Sequence, residues 1–150
     1  MAEENKLRVR LVTPERILLE QYADAVELPA KTGYMEVLYG AAPLLAELGA
    51  GDVTLHGAVE NTAPDADKKA KSDRYNVSWG FVEVLPDRVT ILANDAILPA
   101  DIDISRAKEQ LANGQELWNQ AGDSEEKYTE AERVMNEAEA KLASAQSASH

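Results

Sequence analysis

Near Asp101 the hydrophobic period of this chain changes. From Lys6 to Asn94 apolar residues recur at every second position; after Asp101 they recur every three or four. A strand sends alternate side chains to one face, whereas a helix gathers positions i, i+3 and i+4, so the two stretches cannot form the same kind of element. The pattern implies two units in series. Residues 1–97 are expected to form an antiparallel β-sandwich or flattened barrel, and residues 98–150 an antiparallel two-helix hairpin with a disordered tail.

The first unit is assembled from short runs. Leu7, Val9 and Leu11 share one face of a strand, as do Val26 and Leu28, and Val53, Leu55 and Val59 have common parity in another. Between them Thr13-Pro14-Glu15, Pro29-Ala30-Lys31-Thr32-Gly33, Ala50-Gly51-Asp52 and Pro86-Asp87-Arg88 carry the Pro and Gly that turns require. Regularly spaced short strands suit a sandwich or barrel. The alternation slips after Gly80, which predicts a bulge. Glu60 to Arg74 holds Pro64, three Asp and three Lys with little apolar content, the composition of a long, solvated, mobile loop.

In the second unit the first helix is expected to start at Asp101 or Asp103, whose carboxylates can accept from the free N–H groups of a helix entrance. Ile104, Ala107, Leu111, Gly114 and Trp118 then step along one face. Gly122 suits a left-handed helix end, and Asp123 with Glu126 has capping-box spacing for a second helix. Tyr128, Ala131, Met135, Ala138, Leu142 and Ala145 repeat the stepping. Two narrow seams joined by a short connection imply a hairpin. Because the seams are rich in Ala and Gly, their burial is modest at about 25 cal/mol per Å².

Charge and composition exclude several functions. The net charge of −12, from 15 Lys and Arg against 27 Asp and Glu, repels phosphate backbones and anionic headgroups, so neither nucleic acid nor direct lipid binding is expected. There is no cysteine, hence no disulfide, thiolate nucleophile or zinc-thiolate site. His56 lies in a strand pattern without clustered ligands, which argues against a metal site. No run approaches the ~18 apolar residues of a membrane span. The opening Met-Ala-Glu-Glu-Asn lacks a signal pattern, so the mature chain is expected to begin here, in the cytoplasm. Trp79 and Trp118 are read as packing residues, and His150 as part of a disordered Ser/Ala-rich end.

Three segments carry a resemblance: Val26-Glu27-Leu28-Pro29-Ala30 with Gly33; Val37-Leu38-Tyr39-Gly40-Ala41-Ala42-Pro43-Leu44-Leu45-Ala46-Glu47-Leu48 with Gly51; and Val77-Ser78-Trp79-Gly80-Phe81-Val82-Glu83-Val84 with Val89-Thr90-Ile91-Leu92-Ala93. In this order, ahead of a helical hairpin, they resemble the epsilon subunit family of bacterial F-type ATP synthases. The chain departs from that pattern at Tyr39, where the family has proline, at Ala41, where it has histidine, and at Glu36 and Trp79, where it has glycine.

The resemblance implies a non-catalytic rotor subunit of the central stalk (CF(1) nomenclature). It would bind the gamma subunit, rest on the c-ring, and couple ring rotation driven by hydrogen ion transport to ATP synthesis. Its place would be peripheral, at the cytoplasmic face of the bacterial inner membrane, with membrane association only through the complex. The hairpin would be a regulatory element able to reach the alpha/beta head. Leu38, Tyr39, Ala42 and Pro43 would face the c-ring or gamma. Leu44 and Leu45 are instead expected in the core.

Ile102-Asp103-Ile104-Ser105-Arg106-Ala107 resembles the motif by which some members bind ATP, which makes Ile102, Asp103, Arg106, Ala107 and, on the second helix, Arg133 the candidate ligand residues. A helix N-terminus with an Arg one turn in favours phosphate. Ile97 stands where those members carry Glu, and Ser124 to Leu142 offers only Lys127, Arg133 and Lys141 against six Glu. No cofactor is therefore expected beyond ATP as a weak regulatory ligand, and electrostatic inhibition of the head should be weak or absent. A stand-alone nucleotide sensor built on Asp103 and Arg106 is the alternative function. No Gly-rich phosphate loop, metal-ligand spacing or nucleophile elbow suggests an enzyme.

Overall fold

A computed structural model describes residues 5–59 and 73–148. The chain divides into two compact units, Met1–Ala96 and Ile97–His150. The first holds strands β1 (Leu7–Val12), β2 (Ile17–Ala23), β3 (Ala25–Ala30), β4 (Gly33–Leu38), β5 (Leu44–His56), β6 (Arg74–Leu85) and β7 (Arg88–Ile97). All seven belong to one hydrogen-bonded sheet in the order β2-β1-β7-β6-β5-β3-β4, folded over a shared core into the expected sandwich.

The alternation explains which side chains fill that core. On β1, Leu7, Val9 and Leu11 are fully buried while Arg8 and Arg10 point out, where Arg10 meets Glu20 of β2 at 3.1 Å. Val26 and Leu28 of β3, Val82 of β6 and Ile91 of β7 are equally buried. Each such aliphatic side chain contributes about 1.5–3 kcal/mol on burial. Most strand pairs are antiparallel, but β1 and β7 run parallel, from Arg8 opposite Arg88 to Val12 opposite Leu92. A parallel pair needs a long crossover, and here everything between the two strands serves as one.

Several expectations are corrected. Ala50-Gly51-Asp52 is not a turn; it lies inside β5, which runs unbroken for 13 residues. Gly51 is there because a side chain would collide with the Tyr34 hydroxyl and with Pro29, and that hydroxyl accepts the Asp52 N–H at 2.9 Å. The glycine marks close approach, not reversal. Val59 falls beyond the end of β5 and is exposed. The slip at Gly80 is a left-handed Trp79 (φ 58°) followed by Gly80 (φ 128°), while the β5–β6 register passes through without a shift. A side chain on Gly80 would strike the Leu92 carbonyl of β7. Of the loop expected from Glu60 to Arg74, residues 60–72 lie outside the described residues, and Arg74 already belongs to β6.

The second unit opens with a single 3-10 turn, Pro99–Asp101, followed by α1 (Ile104–Asn119) and α2 (Glu125–Ala148). Asp103 caps α1, its Oδ1 accepting the Arg106 N–H at 3.1 Å. Gly122 takes the left-handed conformation, φ 59°. The cap of α2 is Ser124 rather than Asp123: its Oγ accepts the Lys127 N–H at 3.3 Å. The Ser/Ala-rich end is helical to Ala148 rather than a disordered tail, in keeping with the helix propensity of alanine; His150 lies outside the described residues.

The seam is narrower than the periodicity suggests. Ala107, Gly114, Ala131 and Ala138 are buried, but Ile104 and Trp118 are 46% and 42% exposed and flank it. Small residues bring the axes together: a β-carbon at Gly114 would lie 2.7 Å from Met135 Cγ and 3.2 Å from Val134 Cγ1. The larger side chains are thereby displaced to the margins.

Candidate functional site: an exposed apolar face and a helix entrance

On the sandwich, the segment from the end of β4 to the start of β5 is held at its middle, where the Gly40 N–H donates to the Pro86 carbonyl at 2.6 Å and the Ala41 N–H to Leu38 at 3.2 Å. That anchoring leaves the side chains of Leu38, Tyr39, Ala42 and Pro43 exposed together. Leu44 and Leu45, expected in the core, are also exposed, Leu45 to 71%. Leu44, opposite the buried Val84, has the inner parity but is the first residue of β5, whereas for Leu45 the cause is parity. Leu45 stands opposite Glu83 and Glu47 opposite Phe81, so this face of β5 and β6 is the outer one.

Phe81 is 52% exposed and Leu92, on the neighbouring β7, 49%. Leu45, Phe81 and Leu92 thus lie on three adjacent strands and give the outer face an apolar character that a monomer seldom maintains without a partner. Glu47 and Glu83 sit among them, Glu47 paired with Lys31 at 3.1 Å. Phe81 and Leu92 were not singled out in the sequence. The available signal was that, after the slip at Gly80, Phe81 has the parity of Glu83 rather than of Val82.

At the helix entrance the candidate ligand residues have separate duties. Ile102 and Ala107 are buried and pack; Asp103 is committed to its cap; Arg106 is exposed. Arg133 is on α2. Since Gly114 abuts Val134 and Met135, Arg133 is level with about position 116 of α1, and a rise of about 1.5 Å per residue puts it about 15 Å along the axis from Arg106. The two side chains therefore start from positions about three helical turns apart.

Among the described residues, no group of three or more His, Cys, Asp or Glu is placed to hold a metal ion. His56 Nε2 is 3.8 Å from Glu27 on the exposed surface. No helix among the described residues is long and apolar enough to cross a membrane.

A buried sandwich with an apolar outer face, joined in sequence to a lightly packed helical hairpin, defines a class: small subunits that act by docking in a larger assembly. Residues 6–99 match the family described as ATP synthase, Delta/Epsilon chain, beta-sandwich domain. The chain belongs to that family. It is 36% identical over 143 residues to the ATP synthase epsilon chain of Bdellovibrio bacteriovorus, covering 93% of this chain and 94% of the relative. It is 35% identical over 136 residues to that of Halalkalibacterium halodurans, with 91% and 94% covered. In fold it is similar to a chain of the Euglena gracilis mitochondrial ATP synthase, in a structure comprising OSCP, F1 and the c-ring. The TM-score is 0.71 at 19% identity, with 97% of this chain and 82% of that chain covered.

Proposed function

We propose that this chain works as a rotor subunit in the central stalk of an F-type ATP synthase, without an active site of its own. Its sandwich joins gamma to the c-ring at the cytoplasmic face of the bacterial inner membrane, and it reaches the membrane only through the complex. The observation that carries this reading is the outer face of β5, β6 and β7, where Leu45, Phe81 and Leu92 are exposed, together with the exposed Leu38 and Tyr39 before β5. Aromatic and aliphatic side chains on a rigid sheet make good anchors, whereas the acidic groups around them set orientation and exclude wrong partners.

Binding to gamma tests it. Phe81→Ala should weaken the complex by about 1–4 kcal/mol, the range of an interface anchor. Unchanged affinity in both Phe81→Ala and Leu45→Asp, with the sandwich folded, would remove this face from the contact.

The nucleotide reading is secondary. ATP is at most a weak regulatory ligand, since Asp103 serves as a cap and Arg106 and Arg133 start about three helical turns apart. A stand-alone nucleotide sensor would make no use of the exposed sandwich face. Calorimetric titration of ATP, with Arg106→Ala as control, checks this: the expected result is no heat that the substitution abolishes. The acidic second helix makes electrostatic locking onto the head weak.

A further inference from the structure

Tyr128, in the first turns of α2, joins three parts of the helical unit. Its hydroxyl donates to the Gly122 carbonyl at 2.9 Å. Its ring meets Trp118 of α1 edge to face, with centroids 4.6 Å apart and planes at 67°. Its own N–H donates to the Ser124 carbonyl at 3.2 Å.

Backbone bonds continue the tie through the connection. The Ser124 N–H donates to Ala121 at 3.0 Å and the Ala121 N–H to Trp118 at 3.2 Å, with Ala121 itself buried. One side chain and a run of main-chain bonds therefore hold the last turn of α1, the left-handed Gly122 and the start of α2 in one arrangement. Edge-on aromatic pairs and hydroxyl-to-carbonyl bonds both depend on orientation, so this arrangement cannot slide without losing them.

We propose that the connection is a clasp that makes α1 and α2 a single cooperative element: the helices open together, not one after the other. The need for it follows from the seam. Ala107, Gly114, Ala131 and Ala138 bury little apolar surface, and it is tertiary packing that supplies most of a helix's stability in a folded protein. A helix free to leave its neighbour would do so readily. With the clasp closed, parting the helices breaks the Trp118–Tyr128 contact, which the bond from the Tyr128 hydroxyl to Gly122 orients. This inference rests on contacts within the unit and is independent of the partner assigned to the sandwich.

Native-state hydrogen exchange on the full chain, read residue by residue in rising sub-denaturing urea, tests it. The amides of Ala107–Leu117 and Ala131–Ser144 should converge on one opening, separate from that of the sandwich strands. Tyr128→Phe removes a hydroxyl only, and should lower protection by the same factor in both helices, about fivefold for one hydrogen bond. Tyr128→Leu also removes the ring contact and should produce a larger loss; if it unfolds the helices outright, Tyr128→Phe still decides. Convergence with an equal fall in α1 and α2, sandwich amides unchanged, supports the clasp. An α2 that opens on its own, or a fall confined to one helix, or none, overturns it.

Discussion

The two units solve opposite packing problems with the same chain. The sandwich closes on Leu, Val and Ile, such as Leu7, Leu11, Leu28 and Ile91, each at 0% exposure. The hairpin closes on Ala and Gly and leaves Ile104, Leu117 and Trp118 partly in water. Large side chains build stability through the area removed from solvent, and small ones build proximity of backbones with little area removed. The first unit is therefore closed by buried area, and the second by close backbone approach together with the few directional contacts around Tyr128.

The comparison breaks most visibly in the core of the sandwich. Leu11→Ala should cost about 2–5 kcal/mol in urea denaturation, since the β1 core is enclosed by β2 and β7 and cannot collapse. A loss below that range would mean that the scaffold is no better packed than the hairpin. Next, Gly114→Leu should destabilise the helical unit by about 1–3 kcal/mol, because the new side chain has nowhere to go but into Met135 and Val134. Circular dichroism should show the helical signal melting early and the strand signal unmoved.

Asp103→Ala sharpens the contrast further. Losing the bond from the Arg106 N–H should cost about 1 kcal/mol, confined to amide exchange in the first turn of α1. Smallest of all, Lys31→Ala should change stability by about 0–1 kcal/mol, because its partner Glu47 is equally exposed. Thermal denaturation at low and high salt would show whether even that remains.

Much of this was legible before any coordinates. The change of period at Asp101, the buried parity of Leu7, Val9 and Leu11, and the cap at Asp103 all follow from local spacing, which local chemistry dictates. The residues misread are those whose role is set by something distant in sequence. Gly51 has the look of a turn because its reason, Tyr34, lies on another strand. Leu45 has the composition of core but stands on the outer face, which only the pairing of β5 with β6 decides, and Leu44 has the inner parity but is left exposed at the first position of β5. Asp123 and Ser124 are both good caps, and the geometry at Gly122 chooses between them. The distance between Arg106 and Arg133 is likewise a property of helix register, set by where Gly114 meets Met135, and no motif encodes it.

The parallel pairing of β1 with β7 also dictates an order of events during synthesis. β1 can pair with β2 as soon as both are made, but its other edge has no partner until Arg88 to Leu92 has been translated. Throughout that interval Leu7, Val9 and Leu11 lack the strand that completes their enclosure, and the open edge can pair with another nascent chain. The longest-range pairing in the unit is thus also its last, which makes closure slow relative to the local hairpins and places the main risk of misassembly before the helices exist.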